Sequence, residues 1–196
     1  MTAPGRTAEG RTGDIRNPGD PDPRELVERV IRVDQAGEYG AVRIYEGQLA
    51  ALRWTGRSRS DASAKIAVMA RAEREHRAAF DRLIAERRVR PTVLSPLWGM
   101  AGFALGAATA LMGEKAAMAC TVAIEETIDE HYASQAAQLG DDEAELRTTV
   151  EKFRAEEIAH KDEALAAGAE QAPGYEALTA AIKAGSRLAI WLSTRI

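Results

Sequence analysis

Glu73 with His76, and again Glu157 with His160, stand three residues apart, and these pairs use two of the chain's three histidines. On an α-helix, residues i and i+3 lie about 60° apart around the axis and about 4.5 Å apart along it, so one carboxylate and one imidazole can reach the same point. That is a spacing suited to a metal ion. Each pair also follows a further glutamate set among small or apolar residues: Glu38 lies 35 residues before Glu73, and Glu125 lies 32 residues before Glu157. The chain thus reads twice as a single-Glu helix followed by a Glu-x-x-His helix, an internal repeat of ligands.

Six ligands of this kind, with a Glu from each of two helices and Glu-x-x-His from each of two more, are the set that ferritin-like di-iron and di-manganese carboxylate bundles carry. Four buried carboxylates without partners would each cost several kcal/mol or become neutral; two divalent cations cancel their charge. Oxygen ligands with two imidazoles suit iron(II) or manganese(II), although zinc accepts them too. Neighbouring acids blur the assignment: Glu126 beside Glu125, Glu156 beside Glu157, and Glu75 two residues after Glu73. The i, i+3 rule selects Glu73 and Glu157, while Glu125 is chosen because it shares a face with Met118 and Val122. His131 is the spare histidine, either close to the site as a ligand support or proton shuttle, or a half-exposed side chain with no role.

The elements that must position these groups are helical. Ala, Leu, Glu and Arg dominate a chain of 196 residues that is 45% apolar and only 5% aromatic, so an all-α fold with a sizeable core is expected. One cysteine, Cys120, forms no internal disulfide and reads as a small core residue in a reducing compartment. A net charge of −4 gives no reason to expect nucleic acid. Residues 1–22 are rich in Gly, Pro, Asp and Arg, which predicts a disordered leader. That stretch has no apolar run of a secretory signal and too many acids for an organellar transit peptide. Residues 23–196 then form one domain, on the cytoplasmic side of a bacterial cell.

Asp22 and Pro23 provide a cap and first-turn proline for a helix that carries Glu38 towards Trp54. Gly37 and Gly40 flank Glu38 and make room either for a substrate or for a close helix. A polar loop over 55–60 leads into a second helix with Glu73, His76 and Phe80. Helices from about Glu114 to Leu139 and from about Asp141 to Ala167 carry Glu125 and the Glu157–His160 pair, with Asp141 and Asp142 as cap and first-turn acid. Between the halves, residues 91–113 contain no charged residue. Pro96 and glycines 99, 102, 106 and 113 argue against a continuous membrane span, so the segment reads as one that dips into a single leaflet; a buried core segment and a true span are the alternatives. After Pro173 and Gly174 a further helix sets Ile182, Leu188, Trp191 and Leu192 among Lys183, Arg187 and Arg195, with no acid after Glu176. Such a stripe suits a membrane interface or docking on the bundle.

Over roughly residues 25–196 the chain resembles the demethoxyubiquinone hydroxylases of ubiquinone biosynthesis. The resemblance rests on the run from Arg32 to Ala41, Glu73-x-x-His76, the run from Val89 to Leu94, Pro96-Leu97-Trp98, the run from Gly102 to Gly106, that from Ala117 to Glu126, and Phe153-Arg154-x-Glu156-Glu157-x-x-His160. It implies a ferritin-like four-helix bundle with an added membrane-interfacial segment and a fifth, C-terminal helix. The family's six ligands fall on Glu38, Glu73, His76, Glu125, Glu157 and His160, and its histidine and tyrosine near the site on His131 and Tyr132. The implied activity is a di-iron mono-oxygenase, with two iron ions per chain, that hydroxylates the ring of a polyprenyl methoxy-methyl benzoquinol with O2. NADH is the implied electron source, although no G-x-G-x-x-G marks a nucleotide fold. A polyprenyl quinone drawn from the bilayer would explain the uncharged segment and the basic last helix. The implied setting is the cytoplasmic face of the inner membrane, with a lipid-presenting accessory protein and a homo-oligomer as further partners. Ferritin-like iron oxidation or storage and di-manganese catalase-like chemistry use much the same ligands and are the alternatives.

Overall fold

The computed structural model describes residues 22–196; the expected leader, Asp22 excepted, lies outside them. The described residues form six α-helices, α1 (Pro23–Trp54), α2 (Asp61–Arg87), α3 (Ser95–Met112), α4 (Glu114–Ala136), α5 (Ala144–Ala166) and α6 (Tyr175–Ser193), with two short 3-10 turns and no strand. The fold is an all-α helical bundle. Asp22 caps α1 by accepting a hydrogen bond from Arg24 N at 2.9 Å, with Pro23 at the first helical position. Ser60 caps α2 by accepting from Ser63 N at 3.2 Å, so the polar loop over 55–60 does the work expected of it.

The repeat read in the ligands extends to the architecture. The pairs α1–α2 and α4–α5 pack as hairpins around short connections, and each first helix then carries a parallel companion, α3 on α1 and α6 on α4. The register on α1 is read from its glycine contacts: Gly99 meets Tyr39, Gly102 meets Gly40, and Gly106 meets Ile44. On α4 it is read from ion pairs, Lys183 with Glu126 and Arg187 with Glu130 at 2.9 Å. A hydrogen bond from Trp98 Nε1 to Ser193 Oγ at 2.9 Å ties the start of α3 to the end of α6.

Residues 95–112 form one continuous helix that contains Pro96 and three of the four glycines. Pro96 sits in the first turn, where no intrahelical N–H is required. The glycines allow an unusually close approach instead of a break. A Cβ on Gly106 would lie 1.9 Å from the Ile44 carbonyl oxygen, and one on Gly47 would lie 2.1 Å from that of Phe103. The face turned away from α1 leaves Leu97, Met100, Leu111 and Met112 exposed. By length and composition this is the one helix among the described residues able to cross a membrane.

One expectation is corrected at the start of α5. Asp141 and Asp142 do not cap it; they belong to a 3-10 turn over Asp141–Glu143, and α5 begins at Ala144 without a side-chain cap. The neighbouring Glu143 is drawn away by Arg87 at the end of α2, which donates to both its oxygens at 2.9 and 3.0 Å. Helix α4 likewise ends at Ala136, three residues short of Leu139.

Two large apolar layers and a smaller third cluster fill the bundle. One layer contains Tyr45, Leu52, Ile66, Met69, Met118, Val122 and Ala164; the other contains Val30, Ile31, Phe80, Tyr132, Val150 and Phe153; the third cluster holds Ile44, Cys120, Ala123, Ile124 and Ile182. Cys120 is buried and free, its thiol pushed up to about 12 by burial, as suits a core residue. Each ligand-bearing helix passes from one layer to the other, and the charged residues occupy the level between them.

Candidate metal centre

All six residues chosen from spacing meet at that level. Glu38, Glu73 and His76 with Glu157 form one group, and Glu73, Glu125, Glu157 and His160 form a second; within each, the candidate ligand atoms lie within 4.8 Å of one another. Glu73 and Glu157 belong to both groups. They are therefore placed to offer one oxygen to each of two neighbouring positions. Both histidines turn Nδ1 inward: His76 Nδ1 lies 2.9 Å from Glu157 Oε1 and 3.7 Å from Glu38 Oε2, and His160 Nδ1 lies 3.2 Å from Glu73 Oε1 and 3.1 Å from Glu157 Oε2. The four carboxylates and His76 are fully buried, and the His160 side chain is 11% exposed.

Six buried polar atoms here have no hydrogen-bond partner: Glu38 Oε2, both oxygens of Glu73, His76 Nδ1, Glu125 Oε2 and Glu157 Oε1. The 2.9 Å approach of His76 Nδ1 to Glu157 Oε1 falls outside hydrogen-bond geometry; both atoms are aimed at a common point. Folded proteins rarely leave such atoms unpaired. A pair of hard divalent cations satisfies all six and offsets the formal charge of the four carboxylates, so the donor set fits them.

Electrostatics agree. Burial and the mutual repulsion of the carboxylates raise Glu73 and Glu125 well above the usual range, and burial raises Glu38. Burial pulls the histidines down, but the close carboxylates of Glu157, with Glu38 for His76 and Glu73 for His160, outweigh it and lift them to about 12 and about 9. Glu157 goes the other way: burial would raise it, yet its contacts with His160 and His76 hold it near about 2. Without a cation, the site gathers protons to do a cation's work.

Around the six residues lies a set of supports that spacing alone did not reveal. Tyr45 donates to Glu125 Oε1 at 2.5 Å, and Glu156 Oε2 lies 2.6 Å from His76 Nε2. Tyr45 could have been found seven residues after Glu38, on the same face of α1; Glu156 could not, because it acts on a histidine of another helix. Tyr132 does stand at the centre, its hydroxyl donating to Glu38 Oε1. His131 does not reach the ligands. Its Nε2 lies 3.3 Å from Asp34 Oδ1 and 2.9 Å from Gln135 Nε2, and its ring lines an open cleft of about 720 Å³ with Arg29, Arg32 and Arg195. Buried Asp34, one turn before Glu38 on α1, accepts from Gln135 Nε2 at 2.7 Å. The other doubtful acids are now placed: Glu126 pairs with Lys183 of α6, and Glu75 faces solvent.

The family model described as ubiquinone biosynthesis protein COQ7 matches residues 25–193, which hold the whole centre. The chain belongs to the COQ7 family. Among relatives, a Rhodospirillum rubrum protein named 3-demethoxyubiquinol 3-hydroxylase is 57% identical over 190 residues, 96% of this chain and 88% of its own. A human protein named NADPH-dependent 3-demethoxyubiquinone 3-hydroxylase, mitochondrial, is 49% identical, covering 88% of this chain and 79% of its own. A Saccharomyces cerevisiae protein named 5-demethoxyubiquinone hydroxylase, mitochondrial, is 38% identical, with 87% and 78% covered. COQ7 membership and the buried Glu/His cluster thus point to one kind of chemistry.

Proposed function

We propose that this chain hydroxylates the ring of demethoxyubiquinol with O2 in ubiquinone biosynthesis. The observation that carries the reading is the pair of ligand groups sharing Glu73 and Glu157, in a chain whose relatives bear that activity in their names. In this reading Glu38, Glu73, His76 and Glu157 hold one iron ion, and Glu73, Glu125, Glu157 and His160 hold another. When bound there, iron would supply the redox chemistry needed for O2 to give one oxygen atom to the ring.

The chain's own residues set the conditions. Tyr132 and Tyr45 each hold one oxygen of Glu38 and Glu125, which turns the other oxygen of each inward. The apolar layers above and below exclude bulk water, so charge interactions within are strong. Tyr132 is the one phenol bonded to Glu38 and, as a buried donor, can pass a proton at its oxygen. His131 stands one step further out, beside Asp34, where it can exchange protons with the cleft.

Residues 23–196 act as one domain in this account. The exposed apolar faces of α3 and α6, with Leu188 and Trp191 beside Arg187 on the latter and Arg195 just past its end, support attachment to the cytoplasmic face of the inner membrane and uptake of a polyprenyl quinone from it. An accessory protein that presents lipid, and a homo-oligomer, belong to the same proposal. The electron source is a reduced nicotinamide, and we propose NADH; the human relative's name says NADPH, and supplying each in turn to quinone-loaded protein separates them.

The test is substitution of the shared carboxylates. Glu73→Ala and Glu157→Ala are expected to abolish hydroxylation and reduce bound metal while the far-ultraviolet circular dichroism stays helical. Hydroxylation surviving in either variant, or collapse of the helical signal, would refute the assignment.

A further inference from the structure

The two Glu-x-x-His helices repeat each other position by position, and the repeat is imperfect at places that matter. Met69, Ala72, Glu73 and His76 of α2 correspond in spacing to Phe153, Glu156, Glu157 and His160 of α5. Where α5 has a carboxylate before its ligand glutamate, α2 has a methyl group. Glu156 reaches from α5 to the far nitrogen of His76, at 2.6 Å; Ala72 can offer nothing to His160. No described residue bonds His160 Nε2.

The other contacts sharpen the difference. The Phe153 ring stacks on His76 with centroids 4.1 Å apart, and Lys152 Nζ stands 3.7 Å from the second oxygen of Glu156. His76 is thus held by a ring face, a carboxylate and complete burial, whereas His160 is partly exposed. On the single-Glu helices the halves are matched, since Glu38 and Glu125 each receive one tyrosine hydroxyl. The inequality lies on the histidine side.

We infer that the two metal positions are unequal by construction, and that Glu156 is the positioning residue that makes the His76 position the tighter one. The inference rests on the di-metal reading above. A carboxylate on the outer nitrogen of a ligating imidazole keeps the proton there, leaves the inner nitrogen's lone pair free, fixes the ring and makes it a better donor. Loss of such a partner typically weakens metal binding about 10–100-fold. The His160 position, lacking it, fills last and empties first. Because the Glu156 side chain is 42% exposed, its removal opens no buried cavity and leaves the fold intact.

The test is anaerobic titration of the metal-free full chain with manganese(II) alone, competed by a chelator, with circular dichroism to verify folding. Wild type is expected to bind in two steps, of which His160→Ala removes the weaker. Glu156→Ala should weaken the tighter step about 10–100-fold, whereas Glu156→Gln, whose amide oxygen still accepts from Nε2–H, should keep most of the affinity. Ala72→Glu, which the repeat places opposite His160, should tighten the weaker step. Glu156→Ala leaving both constants unchanged, or weakening only the weaker one, would overturn the inference. Failure of wild type to bind manganese at all would instead overturn the metal reading beneath it.

Discussion

In the metal-free protein six buried polar atoms at the centre have no hydrogen-bond partner. Each such atom costs about 1–3 kcal/mol, so together they rival the about 5–15 kcal/mol by which a domain is normally stable. Metal binding should therefore report directly on stability. Free iron(II) at a hundredfold excess over its dissociation constant stabilises by about 2.7 kcal/mol per site, or about 5 kcal/mol for two. In a protein of this size 1 kcal/mol moves the melting temperature by about 2–4 °C, which makes the expected rise about 10–20 °C. Anaerobic scanning calorimetry of metal-free and iron(II)-loaded protein measures it. Glu157→Ala provides the control, because that carboxylate belongs to both ligand groups and its loss should erase most of the rise. A wild-type rise below about 2 °C at saturating iron(II), or an equal rise in the variant, would refute the reasoning from orphaned atoms to metal.

Further outcomes follow from the same structure. His160 is raised from 6.5 to about 9 in the metal-free protein, so its contribution is fully present below pH 6.5 and is lost as pH rises through 9. Thermal scans should show metal-free protein losing stability across that window, with His76, raised to about 12, adding to the loss, and a flat profile would contradict it. Gly106→Ala puts a methyl group 1.9 Å from the Ile44 carbonyl oxygen and should destabilise by about 1–3 kcal/mol in urea denaturation. Gly37→Ala meets nothing within 4 Å and should stabilise by up to about 1 kcal/mol; a simultaneous loss of activity would mean that Gly37 makes room for substrate. Tyr132→Phe leaves Glu38 Oε1 without its donor and should lower the stability of metal-free protein by about 1–3 kcal/mol, read by the same denaturation.

What could be read from the chain beforehand was local. The cluster residues Glu73, His76, Glu157 and His160 were legible because i and i+3 share a helix face, and Glu38 and Glu125 because the repeat demanded partners for them. Relations between helices were not legible. Glu156 lies about 100° around α5 from Glu157, so its own helix gives no reason to choose it, and its partner is His76 of α2. His131 and Tyr132 are likewise adjacent, and adjacent helical positions diverge; the tyrosine turns to Glu38 and the histidine to Asp34. The glycines of α3 could serve a dip into the membrane or packing against a neighbouring helix, and only the contact of Gly106 with Ile44 shows that they pack on α1.

The central claim is tested most directly by the mass of the quinone product when iron-reconstituted protein is given NADH, a short-tailed demethoxyquinone and isotopically heavy O2. Gain of one heavy oxygen atom in the ring, absent in Glu157→Ala, is the predicted result. Iron-loaded, folded protein that returns the quinone unlabelled under the same conditions would contradict it.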